Sequence, residues 1–236
     1  QLKDAVERVS DELHLDFSTF RITRLDVADN LIVEAHPSFY LPHFGKNGKM
    51  ARLEQSDGLY YRSTQKELVL YDKVAQVKAT RGLSIPEEFK DQNILRFEFR
   101  LKRNIAKQLN TTEVTAATLT EAELYEQLVD MWATHFFMIE KYRIIKPKPQ
   151  TVSSIKSFRR MLMSRGILQM GGEPIVDSFI RQGVQLGYIK DANIKKRLRD
   201  ELKSLCQDTD FTEVSQAIEE LENKISERVQ YLKNSK

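Results

Sequence analysis

The residues with the clearest chemical potential are carboxylates set two positions from arginines. Arg24-Leu25-Asp26 is one such set and Arg96-Phe97-Glu98-Phe99-Arg100 is another. In an extended chain, residues two apart share a face. Asp26 therefore lies beside Arg24, and Glu98 lies between Arg96 and Arg100. Such carboxylates make ion pairs with their arginines, or they hold a hard divalent cation, since Mg²⁺ and Mn²⁺ prefer oxygen ligands. Asp29 alternates to the face opposite Asp26. Lys73, in Leu70-Tyr71-Asp72-Lys73, is expected at a strand end. A lysine there can stabilise charge developing on a phosphoryl group, and equally it can be a plain solubilising residue. His36 and His43 are seven apart and do not form a His-apolar-His metal pair.

Several chemistries are excluded. The chain has no Gly-x-Ser-x-Gly, no Walker sequence and no His-Glu-x-x-His, which argues against a serine hydrolase, a built-in ATPase or helicase, and a zincin. The single Cys206 rules out an intrachain disulfide framework and a cysteine-based zinc site. The 236 residues are 30% charged and 41% apolar, a globular balance. No stretch is long and apolar enough for a membrane span, and no signal-peptide pattern is present.

Net charge is only +3, so its placement matters more than its size. No Asp or Glu occurs from Lys141 to Gly172, a stretch that holds Lys156, Arg159 and Arg160. Lys195, Lys196 and Arg197 form a second cluster. Cations so grouped are candidates for phosphate contact along a nucleic acid. The alternative is a solvated basic face balanced by the acidic C-terminal segment.

The elements that must position these groups divide the chain. The first half reads as strands over 20–28 (with 30–34 continuing that strand or pairing with it), 58–62, 66–73 and 94–102, with turns or a hairpin over 35–50 and a helix over 74–81 closing at Gly82. In the last strand Leu95, Phe97, Phe99 and Leu101 share one face, and Arg96, Glu98, Arg100 and Lys102 the other. The second half reads as helices over 120–141, 153–164, 173–182, 193–205 and 211–232. Thr120 and Glu123 suggest a capping box, and the last helix carries a near-heptad seam suited to dimer contact. Pro147 and Pro149 place a boundary there. The expected organisation is α+β: a sheet-based domain over 1–148, then a helical, basic region over 149–236 ending in an acidic helix.

Three segments in order, Thr23–Asp29, Tyr61–Lys73 and Leu95–Arg103, together resemble rolling-circle replication initiators of plasmids and of filamentous phages (the gene II type). The shared pattern is Arg-x-Asp, a strand ending in Tyr-Asp-Lys, then Arg-x-Glu with a basic strand end. The resemblance covers roughly residues 20–165 and implies a five-stranded antiparallel sheet related to the HUH endonucleases. It implies an enzyme that nicks and rejoins DNA through a tyrosine, with Asp26 and Glu98 as ligands of Mg²⁺ or Mn²⁺ and Lys73 as an active-site lysine. It further implies a single-stranded or hairpin origin, host helicase and polymerase as partners, and action in the cytoplasm of a bacterial host.

At the nucleophile the chain departs from the pattern, because Phe158 stands where some relatives have tyrosine. Tyr142, flanked by Lys141 and Arg143, is the preferred nucleophile, since neighbouring cations favour a phenolate. Tyr125 is a second candidate. A second reading is a catalytically silent, sequence-specific DNA-binding regulator on the same fold, and a third is an RNA-binding or protein-interaction domain whose acidic terminal helix docks a partner.

Overall fold

The computed structural model describes residues 2–81, 84–145, 152–170, 172–206 and 212–234. Its strands are β1 (Leu25–Val33), β2 (Ala51–Gln55), β3 (Gly58–Arg62), β4 (Lys66–Asp72), β5 (Asn93–Leu101), β6 (Arg143–Ile145) and β7 (Thr212–Val214). Its helices are α1 (Leu2–Leu13), α2 (Pro37–Tyr40), α3 (Lys73–Ala79), α4 (Ile105–Gln108), α5 (Ala122–Phe137), α6 (Ile155–Gln169), α7 (Glu173–Gln185), α8 (Ala192–Cys206) and α9 (Gln216–Asn234). The class is α+β, as expected. The chain forms two compact units: residues up to Glu140 with those from Glu220 onward, and Lys141–Glu219.

The first unit is built on a five-stranded sheet in the order β1-β5-β4-β3-β2, and every neighbouring pair is antiparallel. β1 and β5 pair without a break from Leu25↔Leu101 to Val33↔Asn93. Strands far apart in sequence thus become neighbours.

One sheet face is apolar because β5 alternates as its sequence requires. Leu95, Phe97, Phe99 and Leu101 are fully buried with Leu59, Leu68 and Leu70. α5 presents Trp132 and Phe136 to this face. Their rings lie 5.5 and 5.4 Å from that of Phe97, and the Trp132 indole N–H donates to the Phe97 carbonyl at 3.1 Å. α9 buries Leu221 and Ile225 and is tied to the sheet unit by Arg228 on Asp29 and by Tyr40 on Glu220. Its near-heptad residues Ile218, Leu221 and Ile225 are fully buried inside the chain.

In the second unit, α6, α7 and α8 close on Ile167, Ile180, Leu202 and Leu205, and β6 pairs antiparallel with β7. The two strands bracket this small helical unit.

Some boundaries differ from expectation, each for a local reason. α5 starts at Ala122 without a capping box, because the Thr120 hydroxyl donates to the Ala117 carbonyl in a preceding 3-10 turn. It ends at Phe137 because the backbone of Glu140 bonds to that of Gly45 and Lys46. α6 runs on through Gly166, where Ile167 is buried. The last helix begins only at Gln216: Thr212–Val214 is a strand, and the Ser215 hydroxyl accepts from the Ile218 N–H. α1, β2 and α2 arise where no element or only turns were expected. Gly82 and the linker over Pro147–Gln150 lie outside the described residues.

Gly58 permits close strand approach. A Cβ there would stand 2.5 Å from the Leu70 carbonyl oxygen and 2.8 Å from the Tyr71 Cβ. Both contacts involve the rigid neighbouring strand, so the strand must shift. Gly58→Ala is expected to cost about 1–3 kcal/mol, as overpacking does. That lowers the melting temperature by roughly 2–4 °C per kcal/mol, measurable by thermal denaturation followed by circular dichroism.

Candidate active site on the polar sheet face

The register fixes which side chains meet on the other face. Asp26 pairs with Arg100, Arg100 with Glu67, Glu98 with Ala28 and Val69, and Arg96 with Asn30 and Tyr71. Directly opposed residues share a face. Asp26, Glu67, Tyr71, Arg96, Glu98 and Arg100 therefore crowd onto three adjacent strands, although they are up to 74 positions apart in sequence (26 to 100).

Glu98 is the centre of this cluster. It is nearly buried, and both its oxygens are engaged. Oε1 accepts from the Tyr71 hydroxyl at 2.7 Å and from Arg96 Nε at 2.7 Å. Oε2 accepts from Arg100 Nε at 2.8 Å and also from Arg100 Nη2. Burial alone would raise the Glu98 carboxyl, but the hydrogen bonds from Tyr71, Arg96 and Arg100 outweigh it and hold the group down at about 2. Arg100 continues the network to Glu67 at 3.2 Å, and Glu67 is bonded in turn by Arg62. Glu67 is likewise lowered, its burial being outweighed by Arg62, Lys102 and Arg100. Burial and the Glu98 contact push the Tyr71 phenol far up, so it stays protonated.

Asp26 is more exposed. Arg24 grips both its oxygens, at 2.9 and 2.7 Å, and Arg100 Nε lies 3.8 Å from its Oδ2. Asp26 and Glu98 therefore converge on one guanidinium, from neighbouring strands and on one face. Asp29 lies on the opposite face, bonded by Arg228, as alternation required.

Lys73 does not end a strand but opens α3, immediately after β4. Asp72 caps that helix by accepting from the Ala75 N–H at 2.9 Å. Lys73 donates to Gln76 at 2.7 Å. Partial burial lowers its ammonium pKa, nearby Arg96 lowers it further, and Glu98 opposes. Lys73 directly follows Asp72, which pairs with Leu95 beside Arg96, so the strand register sets it next to the Arg96 end of the cluster.

By donor type, Asp26 and Glu98 fit a hard divalent cation: two carboxylates, all oxygen, meeting on adjacent strands. Each is also engaged by guanidinium groups, so a bound ion would have to displace an arginine. Among the described residues, no cluster of three or more His, Cys, Asp or Glu is arranged to hold a metal.

The other expected site residues are in the second unit. Tyr142 is half-buried just before β6. Lys156, Arg159 and Arg160 are on α6, and Lys195, Lys196 and Arg197 are on α8. Phe158 is exposed on α6, and Tyr125, in the first unit, is exposed on α5. Glu67 and Tyr71 were not singled out from sequence as site residues. The signal was available, since in Lys66–Asp72 they sit on one side of the strand, but only the pairing with β5 assigns that side.

Against known protein families, residues 2–127 match the model for the N-terminal region of the phage replication-associated protein of the gene II type. The chain belongs to this family. Its members are the filamentous-phage gene II-type rolling-circle replication initiators, in agreement with the motif resemblance. Asp26, Lys73 and Glu98 all fall within the matched residues, whereas Tyr142, α6 and α8 lie beyond them. No curated protein and no solved structure matches the chain. Among the described residues, no helix is long and apolar enough to cross a membrane.

Two strongly shifted groups contribute to the acid stability. Glu98 is held near 2, below its ordinary 4.5. Its contribution is present above 4.5 and is lost as pH falls toward 2. His135, on α5, is lowered from 6.5 to about 4 by burial and by Lys66, whose Nζ lies 3.2 Å from its Nε2. The unfolded chain takes up that proton first, so stability is lost as pH falls from 6.5 toward 4. Urea denaturation at stepped pH should show both stages. His135→Gln is expected to flatten the upper stage and Glu98→Gln the lower one.

Proposed function

We propose that this chain starts rolling-circle replication as a DNA nicking-joining endonuclease, acting on an origin presented as a single strand or hairpin. The observation that carries the reading is the convergence of Asp26 and Glu98 on one sheet face within the family-matched residues, with Lys73 in range.

Tyr142 is the nucleophile in this reading. Its hydroxyl oxygen bonds to phosphorus, its proton passes to solvent, and the bond from phosphorus to the 3′ oxygen breaks. The departing oxygen takes up a proton and becomes a free 3′-OH, which a host polymerase extends behind a host helicase. The 5′ phosphate remains on the tyrosine, so the phosphodiester energy is kept for rejoining. Asp26 and Glu98 would hold Mg²⁺ or Mn²⁺, an ion that polarises a phosphoryl oxygen when bound. Lys73 stabilises negative charge on the phosphoryl oxygens. Arg96 and Arg100 keep Glu98 ionised and fixed in direction, and Tyr71 holds the same carboxylate as a neutral donor. Lys156, Arg159, Arg160, Lys195, Lys196 and Arg197 contact backbone phosphates and position the origin. As a phage replication protein, the enzyme works in the cytoplasm of a bacterial host.

A second reading is favoured by the same carboxylate. Both oxygens of Glu98 are already engaged, which suits a rigid DNA-binding regulator that has no catalytic step. The two readings part in one experiment. The full chain is incubated with Mn²⁺ and a supercoiled plasmid carrying its origin. Expected are open-circular DNA and a protein-DNA adduct that survives denaturation. Glu98→Gln and Tyr142→Phe should each reduce nicking by about 100-fold or more while origin binding persists. Origin binding with neither nick nor adduct selects the regulator. Activity gained only in Phe158→Tyr identifies a disabled nuclease.

A further inference from the structure

The sheet ends in a cleft that the reading above does not use. It lies where β1 begins and β5 finishes, the two strands that carry Asp26 and Glu98. Its volume is about 640 Å³. Three cations line it, Arg21, Arg103 and Lys107, and no Asp or Glu does. All three are exposed, and none has an ion-pair partner among the described residues. That contrasts with Arg24, Arg62, Arg96 and Arg100 on the neighbouring face, each of which is paired with a carboxylate.

The backbone holds these cations together. Residues 18–22 run beside 114–117, with the Ile22 N–H on the Val114 carbonyl at 2.8 Å and the Ala116 N–H on the Phe20 carbonyl at 3.2 Å. That pairing fixes the wall carrying Arg21. Asn104 has φ +53°, a left-handed conformation that asparagine tolerates better than most residues. It turns the chain sharply after β5, so Arg103 before the turn and Lys107 after it line one opening. Buried Ile105 and Val114 form part of the lining. A concave opening rimmed by three cations suits the backbone phosphates of a single strand.

We infer that this cleft is a subsite for single-stranded DNA, in which Arg21, Arg103 and Lys107 hold the backbone phosphates of the strand that passes on to the Asp26–Glu98 face. The inference rests on the DNA-processing reading, but its test does not require cleavage. Unpaired cations release counterions from phosphates, and each contact adds about 0.7 to the slope of log affinity against log salt for a single strand.

The experiment measures fluorescence anisotropy of a short labelled poly-dT strand with the full chain across a salt series. Compared with the wild type are Arg21→Ala/Arg103→Ala/Lys107→Ala and a charge-matched control, Lys3→Ala/Arg8→Ala/Lys78→Ala. The cleft variant should lose at least about tenfold in affinity and about 2 from the salt slope, while the control stays near wild type. Arg21→Lys/Arg103→Lys should keep the slope, since the charges remain. If the cleft variant binds like the control, the cleft is not a DNA subsite, although the initiator reading stands. If the wild type binds neither single-stranded nor origin DNA, the initiator reading and the subsite fall together.

Discussion

Glu98 holds the polar face of the sheet in its arrangement. A carboxylate nearly removed from water is costly unless it is paired and hydrogen-bonded. Here it receives two guanidinium groups and a phenol from its own and the adjoining strand. Removing one partner would leave the rest buried and unmatched, which makes the cluster a cooperative unit rather than a set of separate bridges. Arg100 is its hub, touching Glu98, Glu67 and Asp26 at once. Its guanidinium stays firmly charged: burial works against the charge, and the contacts with Glu98 and Glu67 outweigh that.

The two faces of the sheet divide the work. The apolar face, closed by Trp132 and Phe136, supplies the burial that holds five strands in register. The register in turn decides which charges meet. A slip of one residue between β1 and β5 would move Asp26 to the core and break its meeting with Glu98. The hydrophobic packing on one side thus fixes the electrostatic geometry on the other. Gly58 and Tyr71 add to this: the narrow approach of β3 to β4 leaves no room for a Cβ at Gly58 beside Tyr71, whose hydroxyl reaches Glu98.

Charge is handled in two ways on neighbouring surfaces of the first unit. On the polar face, arginines are matched by acids into a rigid network. At the end of the same strands, Arg21, Arg103 and Lys107 are left unmatched around an open cleft. Matched charges order a surface, and unmatched ones are available to a polyanion.

Much of this was determined by the sequence alone. Alternation in Ile94–Lys102 separates Leu95, Phe97, Phe99 and Leu101 from Arg96, Glu98 and Arg100, and the same rule sends Asp29 away from Asp26. Both are consequences of the two-residue period of an extended chain, which needs no knowledge of neighbours. The three ordered motifs likewise sufficed for the family. Strand order could not be read this way. That β5 inserts between β1 and β4 is decided by burial of the whole apolar face, and only this brings Glu67 and Tyr71 to Glu98 and turns an expected pair of carboxylates into an arginine-bound network. The strand β7 ahead of the last helix was also hidden, because three residues carry no periodicity of their own and are ordered by pairing with β6. Long-range pairing is a tertiary choice, and local pattern constrains each strand's faces without naming its partner.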